Sequence, residues 1–377
     1  MRRFFYAPDA ARIKGTTDAM NIVLFTSSTN TSGGSRQALY LARGLTERGH
    51  RLVFFVPQGA ALQRLAPDFP FSILPAGRPA WRRSVEASLP ADAPAVLHAF
   101  HNAAVKAVAL WGLFRKKPFV TLAHRGVVFR PKNPLPYWSP GIDRFTVNSP
   151  ACARVLRSMG VRKGRIVCVP NGIPEERLRV PRPRAELRAF LDISPDAFVF
   201  LSIGGEAAYK GSDVLLRAFA EAFPDDGPGA PFLVLLGLDS LPRGGVARAG
   251  RVRRAGYAED VGSFLAAADA YVQPSRSESM PNTLLEALCF GLPCIGTAVG
   301  AIPDILEPAG GAPCGLLVQP GNVSELAVAL RRLHADVALR AASAQAARKR
   351  GACFGMTERL DSIEALYTDL LRSKGYA

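Results

Sequence analysis

The sequence predicts an α/β protein made of two doubly wound, parallel-sheet domains that face a central cleft. Three observations carry that expectation. Short β-branched or aliphatic runs alternate with helical patterns along the whole chain from residue 20. The alternation falls into two sets, separated by a stretch rich in proline and charge. The chain has 377 residues, above the roughly 250–300 at which a single hydrophobic core stops growing.

Taken in order, residues 1–19, "MRRFFYAPDAARIKGTTDA", form an N-terminal extension without the apolar core of a signal peptide. Met20 reads as the true start, because "MNIVLF" runs directly into a first strand. The alternative for 1–19 is a basic aromatic tail, with Phe4, Phe5 and Tyr6 beside Arg2 and Arg3, that touches a membrane. The first domain, 20–176, has the strands "NIVLF", "RLVFFV", "AVLHAF", "KPFVTLAH", "RFTVNS" and "RIVCVP", with "SRQALYLARGLTERG" as its first helix. The prolines and charges near 174–186 read as a linker. The second domain, 187–355, has the strands "AFVFLSIGG", "PFLVLLG", "RVRRAGY", "AYVQPS", "PCIGTAV" and "CGLLVQP" between helical stretches such as "SDVLLRAFAEAF" and "VSELAVALRRLHA". Residues 356–377 contain a last helix, "MTERLDSIEALYTDLLR".

Charge is unevenly spread. Residues 1–180 hold 27 Lys+Arg against 9 Asp+Glu, a net of +18, and residues 181–377 hold 20 against 22, a net of −2. The basic half suits an anionic membrane surface or an acidic acceptor. Nucleic acid is not an expected partner, since no zinc-finger spacing, RNP-type motif or regularly basic helix is present. No run of about 18 apolar residues would span a bilayer. The six cysteines have no C-x-x-C pair and sit mostly in apolar stretches, which favours reduced, buried thiols and a cytoplasmic setting. The basic half adds the expectation of a peripheral position at the inner face of the membrane.

Candidate binding groups gather where strands run into helices. Gly33 and Gly34 in "STNTSGGSRQALYLA" let a backbone approach a ligand at a helix start, as do Gly204 and Gly205 in "SIGGEAAYKGSDVLL", where Lys210 adds an ammonium beside the turn. Neither loop is a P-loop or G-x-G-x-x-G, so an ATPase or a dehydrogenase is not expected. In "SRSESMPNTLLEALCFGLPCIGT", Pro281 suits the first turn of a helix ending near Gly291. Glu278 then lies just before the helix and Glu286 inside it, about 12 Å apart if all the stretch were helical. That exceeds the roughly 5–9.5 Å between the carboxylates of glycosidases. It suits a ligand laid across the helix start, with the N–H groups of Asn282, Thr283 and Leu284 facing an anion. A capped structural helix is the alternative.

These motifs together resemble glycosyltransferase family 4. The similarity rests on "GGSRQALYLARGLTERGHRLVFF", "VPNGIP", "YKGSDVLLRAF", "AGYAEDVGSFLAAADAYVQPSRSESMPNTLLEALCFGLPCIGTAVGAIPDIL" and "GLLVQPGN", in the family's order from Met20 on. The resemblance implies the GT-B fold with two Rossmann-like domains, a nucleotide-sugar donor held by the second, a glycan or lipid-linked acceptor held by the first, a last helix crossing back, and transfer with retention. It implies that Lys210 neutralises the donor diphosphate, Glu286 binds the ribose and Glu278 faces the transferred sugar. Gly33 and Gly34 would approach the donor, and His124 would stand near the sugar, with His98 and His101 on the same side. Where the family often carries an arginine before its lysine motif, this chain has Gly205. Arg276, Arg125 and Arg36 are the candidate replacements. With no D-x-D stretch, neither a metal nor another cofactor is required. The alternatives are a nucleotide-sugar epimerase or hydrolase of the same fold, and a non-catalytic nucleotide-sugar-binding protein.

Overall fold

The computed structural model describes residues 18–225, 227, 229–239 and 250–376, so the tail bearing Arg2, Arg3, Phe4, Phe5 and Tyr6 lies outside the described residues. The chain divides into two compact units, one of residues 1–172 with 356–377, the other of 173–355.

The first unit holds seven parallel strands: β1 (Asn21–Thr26), β2 (Arg51–Pro57), β3 (Phe71–Leu74), β4 (Ala95–Phe100), β5 (Phe119–Arg125), β6 (Arg144–Val147) and β7 (Ile166–Cys168), ordered β3-β2-β1-β4-β5-β6-β7. The continuous apolar runs of β1, β4 and β5 follow from position, since a central parallel strand is covered on both faces. β3 has no counterpart in the sequence reading. It is four residues long, at the sheet edge and mostly half-buried or exposed, so it shows no apolar run. On one face Phe25 stacks on Trp111 with ring centroids 5.5 Å apart. On the other lies the C-terminal helix, Met356–Ser373, burying Leu360, Ile363, Leu366, Tyr367 and Leu370. At about 1.5–3 kcal/mol per buried large side chain, that stripe is the main attraction. Polar contacts set its register: His98 Nδ1 lies 2.7 Å from the Tyr367 hydroxyl, and His50 Nε2 lies 2.9 Å from Glu364 Oε1.

The second unit holds six parallel strands: β8 (Val199–Ile203), β9 (Phe232–Leu236), β10 (Val252–Arg254), β11 (Ala270–Gln273), β12 (Cys294–Thr297) and β13 (Gly315–Val318), ordered β10-β9-β8-β11-β12-β13. In both sheets the order reverses beside the first strand, between β1 and β4 and between β8 and β11. A doubly wound sheet opens its ligand crevice beyond the carboxyl ends of those strands.

The stretch 174–186, expected as a linker, is folded onto the second unit. Glu175–Leu178 form a 3₁₀ turn and Arg184–Phe190 a helix. The backbone lies so close to helix Val261–Ala267 that a Cβ on Gly262 would fall 1.9 Å from the Arg179 carbonyl. Arg188, buried, bonds the Ala267 carbonyl and Asp269. Charges in and just after the stretch read as a linker are anchors here. Cys152, Cys168, Cys294 and Cys314 are buried, and Cys289 and Cys353 half-buried, all as free thiols.

Candidate functional site

At the second unit's reversal point, two loops converge. From the end of β8 the chain passes Gly204 and Gly205 into the 3₁₀ turn Ala208–Lys210, then Gly211, then helix Ser212–Ala222. Gly211 has φ +74°, and a Cβ there would lie 2.0 Å from the Pro274 carbonyl, so only glycine fits. That close approach brings the turn against the loop after β11, and Lys210 Nζ donates to Glu278 Oε1 at 2.6 Å. Arg276 clamps the same loops by a bidentate pair to Asp213, 2.6 Å for each bond, and by a 2.7 Å bond to the Ala208 carbonyl. The hydrogen bonds from Arg276 hold the Asp213 carboxyl below its usual range.

Behind the pair runs a buried polar chain. Ser275 Oγ is 3.3 Å from Glu278 Oε1 and accepts from Gln273 Nε2 at 2.8 Å. Gln273 Oε1 and Thr283 Oγ1 each lie 2.8 Å from the Tyr271 hydroxyl, whose ionisation burial pushes up. Glu278 is thus oriented from beneath and linked to the helix Asn282–Cys289. Pro281 is the N-cap of that helix, one position before the first-turn site expected for it, and its own side chain makes no capping hydrogen bond. The helix ends at Phe290, with Gly291 at φ +71° after it.

The sequence-predicted residues do not all take the expected setting. Lys210 and Glu278 meet, with Asn282, Thr283 and Leu284 in the helix turn that follows. Glu286 is 3% exposed and accepts from Arg177 Nε at 2.9 Å and Arg177 Nη2 at 3.4 Å. Arg177 lies in the stretch read as linker, so this pair was not legible. Gly205 has open space where a Cβ would stand, whereas Gly204 continues the sheet by a bond from its N–H to the Leu236 carbonyl. Of the proposed replacement cations, Arg276 is committed to Asp213. Arg125 is buried against the Tyr137 ring and bonds the Tyr137 hydroxyl at 2.7 Å. Neither stands as a free cation.

The first unit gathers its candidates at its own reversal point. Gly33 and Gly34 form the first turn of helix Gly33–Glu47, which Ser32 Oγ caps by accepting from Ser35 N–H. A Cβ on Gly34 would stand 3.4 Å from His101 Nε2. His101 itself has φ +71°, an uncommon backbone for a non-glycine residue, and its Nδ1 is 2.7 Å from Thr26 Oγ1. His124, at the end of β5, has Nδ1 3.1 Å from Thr146 Oγ1. Burial, and then the Arg359 guanidinium and the neighbouring histidines, keep His124 neutral well below its ordinary value. His98 is a packing residue, buried between Tyr367 and Thr146. Arg359 was missed: it is buried, bonds Asn171 Oδ1 at 3.3 Å, and no carboxylate faces it among the described residues. Among those residues no three His, Cys, Asp or Glu side chains form a metal-binding group, and no helix is long and apolar enough to cross a membrane.

Residues 31–177 match the family description "Glycosyltransferase Family 4", and residues 197–336 match "Glycosyl transferases group 1". The chain belongs to glycosyltransferase family 4. Its family-4 sequence is 30% identical over 247 residues to the D-inositol 3-phosphate glycosyltransferase of Streptomyces avermitilis, covering 61% of this chain and 53% of that one. It is 32% identical over 240 residues to the lipopolysaccharide core biosynthesis glycosyltransferase LpsE of Rhizobium meliloti, covering 62% and 65%. The chain thus spans between about half and two thirds of the length of these curated relatives. HepE of Anabaena, solved with UDP and with UDP-glucose, superposes with a TM-score of 0.78 for the UDP complex at 18% identity, covering 93% of this chain and 100% of that one. The fold is accordingly GT-B, with two Rossmann-like domains.

Proposed function

We propose that this family-4 protein is a retaining glycosyltransferase that moves a sugar from a nucleotide-sugar donor to a hydroxyl of a glycan or lipid-linked acceptor. The observation that carries the reading is the Lys210–Glu278 contact of 2.6 Å beside the start of helix Asn282–Cys289 at the reversal point of the second sheet. A cation, a carboxylate and a helix start at that point match the three parts of a nucleotide sugar. On donor binding the ion pair opens: Lys210 turns to the diphosphate and Glu278 accepts from a hydroxyl of the transferred sugar. The N–H groups of Asn282, Thr283 and Leu284 face the phosphates, and Gly204 and Gly205 leave room for the nucleotide. Glu286, held in place by Arg177, would accept from the ribose hydroxyls.

The chemistry asked of these groups is electrostatic. Negative charge develops on the leaving diphosphate, where Lys210 and the helix start stabilise it. Positive charge develops at the anomeric carbon, where Glu278 stabilises it. Gly33 and Gly34 leave backbone room for the donor, and His124, held neutral, contacts the sugar or acceptor. This reading calls on no metal or further cofactor. The name of the Rhizobium relative supports a role in cell-envelope polysaccharide or glycolipid synthesis. The free thiols and the basic first unit support a cytoplasmic protein working at the inner face of the membrane.

Steady-state kinetics test the reading, after a thermal-shift screen of nucleotide sugars has found the donor. Lys210→Ala is expected to lower kcat/KM about 10- to 100-fold, as befits a lost charge-assisted hydrogen bond. Glu278→Gln should lower kcat with little change in KM, and Glu286→Gln should mainly raise the donor KM. Wild-type kinetics for Lys210→Ala and Glu278→Gln would overturn the assignment. Donor consumed without acceptor would instead indicate an epimerase or hydrolase, and donor bound without turnover a binding protein.

A further inference from the structure

In the first unit, six of the seven large hydrophobic side chains on the surface of the described residues fall between residues 110 and 138. They are Leu110, Leu113, Phe114, Phe129, Leu135 and Trp138, each 47–64% exposed. The fold gathers them. A Cβ on Gly112 would fall 1.8 Å from the Gly141 carbonyl, and Ser139 Oγ donates to the Ala109 carbonyl at 2.5 Å. The end of helix Asn102–Trp111, with Leu110, Leu113 and Phe114 around it, is therefore fastened beside the short helix Leu135–Trp138. Arg125 ties in the loop that bears Phe129, bonding both the Tyr137 hydroxyl and the Phe129 carbonyl. Trp138 Nε1 donates to the Met159 carbonyl at 2.6 Å, which leaves its ring half in solvent.

The charge of this region has one sign. Residues 101–170 contain 13 Lys+Arg and a single carboxylate, Asp143. Asp143 is buried and held by Arg115 at 2.8 Å and Lys374 at 3.0 Å, so no carboxylate in the stretch faces solvent. Exposed cations stand next to the apolar positions: Lys116 follows Phe114 by two residues, Arg130 and Lys132 follow Phe129, and Arg157 and Arg162 flank Met159. A second copy of this chain would bring the same positive surface and be repelled. A surface that takes aromatic rings and also presents dense negative charge is a layer of anionic lipid headgroups over acyl chains.

We propose that the face formed by the end of helix Asn102–Trp111, the Phe129 loop and helix Leu135–Trp138 docks on an anionic phospholipid surface. Phe114, Leu135 and Trp138 enter the headgroup layer, and the neighbouring cations pair with lipid phosphates. The proposal rests on the membrane setting given under the proposed function and names the face that would carry it; it uses no residue of the candidate site, so a failure to bind vesicles leaves the transferase kinetics as a separate test.

Co-sedimentation of the full chain with vesicles tests it. The wild type is expected to bind phosphatidylglycerol-containing vesicles, to bind pure phosphatidylcholine vesicles far less, and to weaken as salt rises. The double variant Phe114→Ser/Trp138→Ser should lose about tenfold or more in vesicle affinity, and Arg130→Glu/Lys132→Glu a comparable factor at low salt only. Arg130 and Lys132 are exposed, so their variant should keep the wild-type melting temperature; Trp138→Ser gives up its bond to Met159, and a cooperative melt of the double variant shows that it is folded. Absence of vesicle binding, equal binding to neutral vesicles, or unaltered binding by the Phe114/Trp138 variant would each overturn the proposal. So would a solution dimer, seen by light scattering, that the same variant dissolves while vesicle binding is absent.

Discussion

A carboxylate as buried as Glu286 needs protein donors in place of water, and Arg177 is one of them. Removing the two partners is therefore not equivalent. Arg177→Ala takes a charged donor away from a buried carboxylate and is expected to cost about 1.5–3 kcal/mol. Glu286→Gln leaves a guanidinium that can still reach water, and should cost less. Denaturant unfolding of the two variants decides it; equal stabilities would make the pair incidental. At this scale the sequence was readable where a residue type had few alternatives. A lysine after a glycine turn and glutamates around a helix start point to their chemistry by local context. Arg177 did not, because its partner is 109 positions away and its neighbours are prolines and charges. Arg359 reads as one more charge on an amphipathic helix, and the left-handed backbone of His101 follows from tertiary contacts that no spacing encodes.

Elements meet in the candidate site through a backbone contact. Gly211 sits over the Pro274 carbonyl, and the turn Ala208–Lys210 has its height above the sheet fixed by that approach. Gly211→Ala combines a left-handed φ with a methyl at 2.0 Å from an oxygen, so the two loops must separate. The expected outcome is a stability loss of about 1–3 kcal/mol together with a fall in donor affinity at least as large as that of Lys210→Ala. Thermal shift with and without donor measures both, and an unaffected donor response would show that loop height is irrelevant. The alternation of apolar runs and helical periods revealed nearly every strand, since parallel strands buried on both faces leave continuous apolar runs. It failed at β3, an edge, and at 174–186, where arginine stems and backbone bonds fasten the segment and prolines hide the fact.

For the molecule as a whole, acidity should act first on the first unit. Burial pushes His98 down to about 3, with Arg359 adding to the effect, and burial also lowers His101 and His124. These histidines are neutral when folded and protonated when unfolded below about pH 6.5. Unfolding then takes up protons, so their stability is fully present above about pH 6.5 and is lost as pH falls toward 3, at up to about 1.4 kcal/mol per pH unit for each. Glu364 and Asp143 resist burial through their basic and N–H partners, sit below the usual carboxylate range, and add a loss only at lower pH. Calorimetry between about pH 7 and about pH 5 should show the melting temperature falling, with a shallower slope in His98→Asn. A flat profile in the wild type would contradict the buried-neutral assignment. Net charge was legible at this scale and its placement was not, since sequence order alone does not show that the exposed apolar side chains share the most basic stretch. The C-terminal helix has one more consequence, for the order of synthesis. The ribosome delivers all seven strands of the first unit by Cys168, yet the face that helix Gly33–Glu47 covers only in part stays incomplete until Met356–Ser373 emerge, after the last residue of the second unit. The part of the chain made first is thus the part completed last, and during translation the apolar strip awaiting the last helix is a surface for chaperones to hold.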